Sequence, residues 1–148
     1  MRFPQQIVGV IGVMACLALG AAAAANQAQT SGEKKTVIPD NASALEGQPA
    51  VRVDATKEGA TRRQLGRDEA ANHRLKISIV NGKYYWASRE NRPLTLTSSG
   101  EFTYLSSTDP GQYVRFKKIN DRIEYVEHVD KAFESVTFWG ELRIVLMK

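Results

Sequence analysis

The sequence predicts an all-β protein: a small antiparallel β-barrel or sandwich of about seven strands, built as a meander of hairpins and preceded by a disordered tether. Three observations predict it. Apolar and polar residues alternate with period two through most of residues 75–146, the spacing of strands with one buried face. The alternation breaks at turn-forming residues: Asn81-Gly82, Ser99-Gly100, Asp109-Pro110-Gly111 and Asn120-Asp121. Eleven of the chain's twelve aromatic residues lie beyond residue 72, so one half of the chain holds the means to build a core.

The first 25 residues read as a signal peptide. Met1 to Gln6 is a short basic stretch, Ile7 to Leu19 is apolar and uncharged, and Gly20 leads into Ala21–Ala25. Ala23 and Ala25 give an A-x-A cleavage site before Asn26. The 19 apolar residues from Ile7 to Ala25 approach the roughly 20 that span a bilayer. The second part of that stretch is alanine, however, which gains little from lipid, and no basic cluster follows at once. Cleavage is therefore expected, leaving no membrane span and a periplasmic or secreted protein. Val13-Met14-Ala15-Cys16 resembles a lipobox, which makes a lipoprotein anchored at Cys16 the alternative; the segment stays apolar after the cysteine, which speaks against it. Cys16 is the only cysteine. The cleaved chain then has no disulfide and no thiol chemistry, as is ordinary for a bacterial envelope protein.

Residues 26–72 read as a flexible polar tether. They contain no Phe, Tyr or Trp, and their seven basic and seven acidic residues cancel. Such a segment buries too little apolar surface to offset its ordering entropy. Residues 61–72 could form a short helix, with Gly66 in its middle and a thin apolar stripe; alone it would be marginal in water.

Residues 73–148 read as one small all-β domain. Leu75, Ile77 and Ile79 share a strand face, and Asn81-Gly82 supplies a type I′ turn, whose two central residues both need positive φ. That turn pairs Ile79 with Tyr84 and Ile77 with Trp86. For the next hairpin a three-residue loop, Ser98-Ser99-Gly100, keeps the apolar set together by placing Leu96 opposite Phe102 and Leu94 opposite Tyr104. A tight turn at Asn120-Asp121 sets Phe116 opposite Tyr125 and Lys117 opposite Glu124, a favourable charge pair. In the last strand Val136, Phe138, Leu142, Ile144 and Leu146 fall on one face, with Gly140 among them marking a bend or bulge. This long strand favours a barrel, closed by pairing it with the first strand, 75–80.

Catalytic chemistry finds no support in the residues. The two histidines, His73 and His128, are far apart in sequence. His73 stands at the tether junction and is expected in solvent. Glu127 and His128 are strand neighbours and point to opposite faces, so they cannot easily share a metal ion. There is no G-x-S-x-G, no phosphate loop and no placed carboxylate pair. The expectation is a non-enzyme without metal or cofactor.

The densest unusual stretch is Lys83-Tyr84-Tyr85-Trp86 followed by Arg89 and Arg92. Tyr85 points away from the face that carries Tyr84 and Trp86. Exposed Tyr beside Arg is the usual make-up of a binding hot spot. Tyr85, Arg89, Arg92, Tyr113 and Arg115 are therefore the candidate binding surface. The net charge of residues 73–148, twelve basic minus nine acidic, is only +3 and argues against nucleic acid. The function expected is an exported, non-catalytic binding module whose partner is another protein or an envelope glycan or lipid. Two other classes fit less well: a small ligand-carrying or hydrolytic barrel with an interior pocket, and an envelope structural subunit that assembles through an edge strand.

Overall fold

A computed structural model describes residues 37–148. The expected signal peptide (1–25), Cys16 and the expected tether as far as residue 36 lie outside the described residues. The elements are β1 (Ala42–Thr56), β2 (Gly59–Gln64), α1 (Arg67–Asn72), β3 (Leu75–Val80), β4 (Lys83–Trp86), β5 (Arg92–Ser99), β6 (Phe102–Ser107), β7 (Gln112–Ile119), β8 (Arg122–Lys131) and β9 (Glu134–Leu146). β1 and β3–β9 form a closed antiparallel barrel of eight strands, each hydrogen-bonded to the next round the ring. β2 lies outside the ring, paired with the second half of β1.

The seven expected strands are β3–β9. Asn81 (φ 51°) and Gly82 (φ 72°) both take positive φ, and Ile79 pairs with Tyr84 and Ile77 with Trp86. Phe116 pairs with Tyr125 and Lys117 with Glu124 across the Asn120-Asp121 turn. The Lys117 ammonium nevertheless reaches the Glu101 carboxylate on the neighbouring turn, at 2.8 Å, rather than Glu124.

Four expectations are corrected. The tether does not run to residue 72, because β1 and β2 lie inside it. β1 is disguised by small inward residues: Ala42, Leu45, Gly47 and Pro49 are buried, and only Leu45 is large. At Gly47 the reason is Tyr125, which fills the space from the other side; a Cβ there would meet its ring at 2.7 Å. The helix expected over 61–72 is confined to 67–72, since residues up to Gln64 extend β1's sheet.

The hairpin between β5 and β6 has a two-residue loop, not three. Ser99 pairs with Phe102 and Leu96 with Leu105. Gly100 takes φ 60° as the first central residue, which a type II′ turn asks for. Thr103 and Leu105 therefore point inward, and Phe102 and Tyr104 point outward.

The barrel closes on β1, not on β3. β9 pairs with β1 from Ala42–Leu146 to Ala55–Ser135, with a register shift between Pro49 and Val51 opposite Gly140. The shift changes which side chains face in. Before it Leu45, Gly47 and Pro49 face the core; after it Arg52 and Asp54 do, while Val51 and Val53 turn outward.

Trp86, Phe116, Tyr125 and Phe138, each at most 2% exposed, fill the interior with Leu45, Leu75, Ile77, Leu105 and Val114. An eight-stranded barrel has an interior just wide enough for side chains to fill. The end with the tight turns is sealed by Ile38 and Val37, which pack against the core ahead of β1. The opposite end holds the longer β4–β5 and β6–β7 connections, the two-residue β8–β9 turn and the charged residues Arg52, Arg89 and Glu127. No helix among the described residues is long and apolar enough to cross a membrane.

Candidate functional site: the open mouth and the outer wall

The five candidate residues divide among three places. Arg89 and Arg92 lie at the open mouth. Tyr113 and Arg115 lie on the outer wall of β7. Tyr85 also faces outward, on β4, but between Ser78 and Pro93, three strands round from Tyr113.

The mouth is a cleft of about 340 Å³ lined by Ser88, Arg89, Glu90, Arg92, Gln112, Val129 and Lys131. Two of its three cations, Arg89 and Arg92, are engaged. Arg92 donates to Gln112 Oε1 at 3.0 Å and pairs with Asp109 and Glu90. Arg89 reaches across the mouth and donates from Nε and Nη2 to Glu127 Oε1, at 3.1 and 3.0 Å. Glu127 points inward from β8 and is 1% exposed. Burial pushes its carboxyl pKa up, against the opposing pull of the Arg89 guanidinium. Its second oxygen, Oε2, has no hydrogen-bond partner among the described residues; nor do the Trp86 indole Nε1 and the Tyr125 hydroxyl in the same interior. The Tyr125 phenol is likewise pushed up, first by burial and then by the Glu127 charge.

His73 closes this end from the side of α1. It is not in free solvent as expected. Its ring centroid lies 5.0 Å from that of Phe138, and its Nε2 is 3.3 Å from Arg52 Nη1. Arginine only donates, so Nε2 accepts and the neutral ring carries its proton on Nδ1. Burial and then the Arg52 charge lower its pKa, with smaller opposing help from Glu69 and further depression from Arg89 and Arg63. A histidine depressed in the folded state contributes stability that is complete above its unfolded pKa, about 6.5, and is lost as pH falls through the folded value. In urea denaturation between pH 7 and pH 5, His73→Phe is expected to flatten the acid-side loss of stability. An unchanged slope would remove His73 from that account.

The outer wall carries the larger feature. Register places Tyr104, Arg115, Val126, Trp139 and Val51 in one row across β6, β7, β8, β9 and β1. Ser106, Tyr113, His128, Thr137 and Val53 form the row nearer the mouth. The rings touch in sequence: Phe102 to Tyr104 at 6.4 Å, Tyr104 to Tyr113 at 6.3 Å, and Tyr113 stacked on His128 at 5.2 Å. His128 is fixed in turn by the Thr137 hydroxyl on Nδ1, at 2.8 Å, and the Asp130 carboxylate on Nε2, at 3.0 Å. Asp130 can only accept, so Nε2 carries a proton. Trp139 is 37% exposed. Beside these rings runs a groove of about 300 Å³ whose lining includes Val51, Phe102, Arg115, Glu124, Val126 and Trp139. The guanidinium of Arg115 lies over the Phe102 ring at 5.4 Å, and the Lys117 ammonium at 5.0 Å. Such cation–π contacts hold both partners in place.

Residue-level reading found Tyr113 and Arg115 but missed Phe102, Tyr104, Val126 and Trp139. The first two were turned inward by the wrong loop length. Trp139 was legible: it stands out of phase with Phe138 and Leu142, so it had to leave the core face. Among the described residues no three His, Asp or Glu side chains come together in a way that could hold a metal ion. Compared with known protein families, curated proteins and solved structures, the chain matches none.

Proposed function

We propose that the protein is an exported, non-catalytic binding module that docks its partner on the outer wall of the barrel, along Phe102, Tyr104, Tyr113, Arg115 and Trp139. The observation that carries this reading is the linked series of outward-facing rings beside an open groove, on strands hydrogen-bonded along both edges. A rigid sheet that presents half-buried aromatics and an arginine loses little entropy on binding, and such residues dominate recognition surfaces. The interior has less to recommend it as a ligand site, because large side chains occupy it. Assembly through an edge has only β2 to use among the described residues, and that strand is short and carries Arg62 and Arg63, features that discourage edge pairing.

The test is retention of a partner from envelope extract and culture medium by the immobilised protein. Phe102→Ala/Trp139→Ala is expected to lose the partner, with at least a tenfold fall in affinity, whereas Tyr85→Ala on the far wall keeps it. Loss in the Tyr85 variant alone would move the site away from the groove and overturn this reading.

A further inference from the structure

The chemistry of the groove narrows the class of ligand, on the premise that the outer wall is the binding surface. Two charges in the lining are uncommitted. Arg115 makes no ion pair among the described residues, and its Nε is buried without an acceptor; the Phe102 ring is its one close partner. Glu124 also makes no ion pair, since Lys117 opposite it is taken by Glu101. The remaining charge at this end of the groove, Glu141, is paired with Arg122 at 2.9 Å. Among the described residues the groove therefore holds one cation without a carboxylate and one carboxylate without a cation, diagonally placed across β7 and β8. A ligand that satisfies both brings an anionic oxygen group and hydroxyl donors together.

The uncharged lining includes Phe102 on one side, Trp139 on the other, Val126 between them and Val51 beyond Trp139. It suits the CH faces of sugar rings rather than a hydrocarbon chain, because aromatic rings pair an apolar face with polar neighbours. A membrane surface fits poorly: the rings lie in a groove rather than at a protruding tip, and charges of both signs line it. An extended peptide is disfavoured by the backbone. The strands of this wall are paired along both edges, so no row of free N–H and C=O groups is left for strand addition.

We propose that the groove binds an acidic sugar chain, with a carboxylate taken by Arg115, hydroxyls by Glu124, and ring faces stacked on Phe102 and Trp139.

The experiment is isothermal titration calorimetry on the full chain. The probes are oligomers of galacturonate, mannuronate and glucuronate, each beside its neutral counterpart. At least one acidic oligomer is expected to bind at least tenfold more tightly than its neutral counterpart. Arg115→Gln should abolish that preference, and Trp139→Ala should weaken binding of acidic and neutral oligomers alike. A urea midpoint equal to the parent's shows that each variant is folded; should Arg115→Gln fail that check, Arg115→Lys serves, losing the bidentate fork but keeping the charge. Equal binding of acidic and neutral oligomers, with Trp139→Ala still impaired, overturns the acidic assignment and leaves the docking wall intact. If no acidic oligomer binds while Phe102→Ala/Trp139→Ala still loses an extract partner, the occupant is a protein and the sugar assignment falls. If neither assay responds to the groove variants, both readings fall together.

Discussion

An alanine at Gly140 is expected to lower the stability of the barrel by at least about 3 kcal/mol, the upper end of what overpacking costs. Gly140 lies on β9 opposite Tyr125 of β8 and Pro49 of β1. A Cβ there would stand 2.8 Å from Pro49 Cα and closer still to the Gln48 carbonyl oxygen. Both are backbone atoms at the register shift of β1, so no side-chain rotation relieves the clash. The affected seam is also the one that closes the ring; if it parts, the core beneath Tyr125 and Phe138 meets water. Gly47→Ala makes a useful comparison. Its Cβ would meet the Tyr125 ring and Leu75 Cβ, side-chain atoms that have some room to shift, so a smaller loss is expected. Urea denaturation followed by tryptophan fluorescence measures both, with buried Trp86 as reporter. A Gly140→Ala midpoint equal to that of the parent would mean that β1 is not locked against β9.

Arg89→Ala is expected to destabilise the protein by about 3 kcal/mol at neutral pH. That is the lower end of the loss on breaking a buried pair, since the Arg89 side chain is itself 33% exposed and partly screened. The physical cause is Glu127, left charged and dry without its two donors. Burial already raises its pKa, and removing Arg89 raises it further. A carboxyl raised in the folded state contributes stability that is complete below its unfolded pKa, about 4.3, and is lost as pH rises through the folded value. The difference between parent and variant should therefore shrink from pH 7 to pH 5 as Glu127 takes up its proton. Glu127→Gln, added to Arg89→Ala, should recover much of the loss at pH 7, because the amide carries no charge to bury. A deficit that is the same at both pH values and is not relieved by the second substitution would mean that Glu127 is not ionised in the folded protein.

How much of this could be read beforehand depends on where along the chain one looks. Two of the hairpins were legible to the residue. Asn81-Gly82 admits one turn type, and the alternation of Ile77, Ile79, Tyr84 and Trp86 agrees with it. Asn120-Asp121 likewise fixes Phe116 against Tyr125. The β5–β6 hairpin was not legible, because two loop lengths compete there. Placing Phe102 and Tyr104 inside looked favourable until Leu105 and Thr103 took those positions. The mistake mattered for the site, since it hid two of the rings on the outer wall. Of the proposed binding residues, Tyr113 and Arg115 could be named from the strand pattern. That Val126 and Trp139 stand beside them could not be read, because the β8–β9 pairing joins strands across a connection that carries no tight-turn signature.

The sequence by itself determined an all-β chain, the seven strands from β3 to β9, and the inward set that starts with Ile77 and Trp86. It did so because period-two patterning and turn chemistry are local and act over a few residues. The tertiary structure alone decided that β1 closes the ring. A strand whose inward positions are Ala42, Gly47 and Pro49 has no pattern of its own; its shape is the imprint of Tyr125 and Gly140 on the strands it joins. The tertiary structure also decided which charges are free. Arg89 and Arg92 find carboxylates far along the chain, whereas Arg115 pairs with no carboxylate among the described residues and lies over the Phe102 ring; ion pairing across strands follows from closure rather than from sequence spacing.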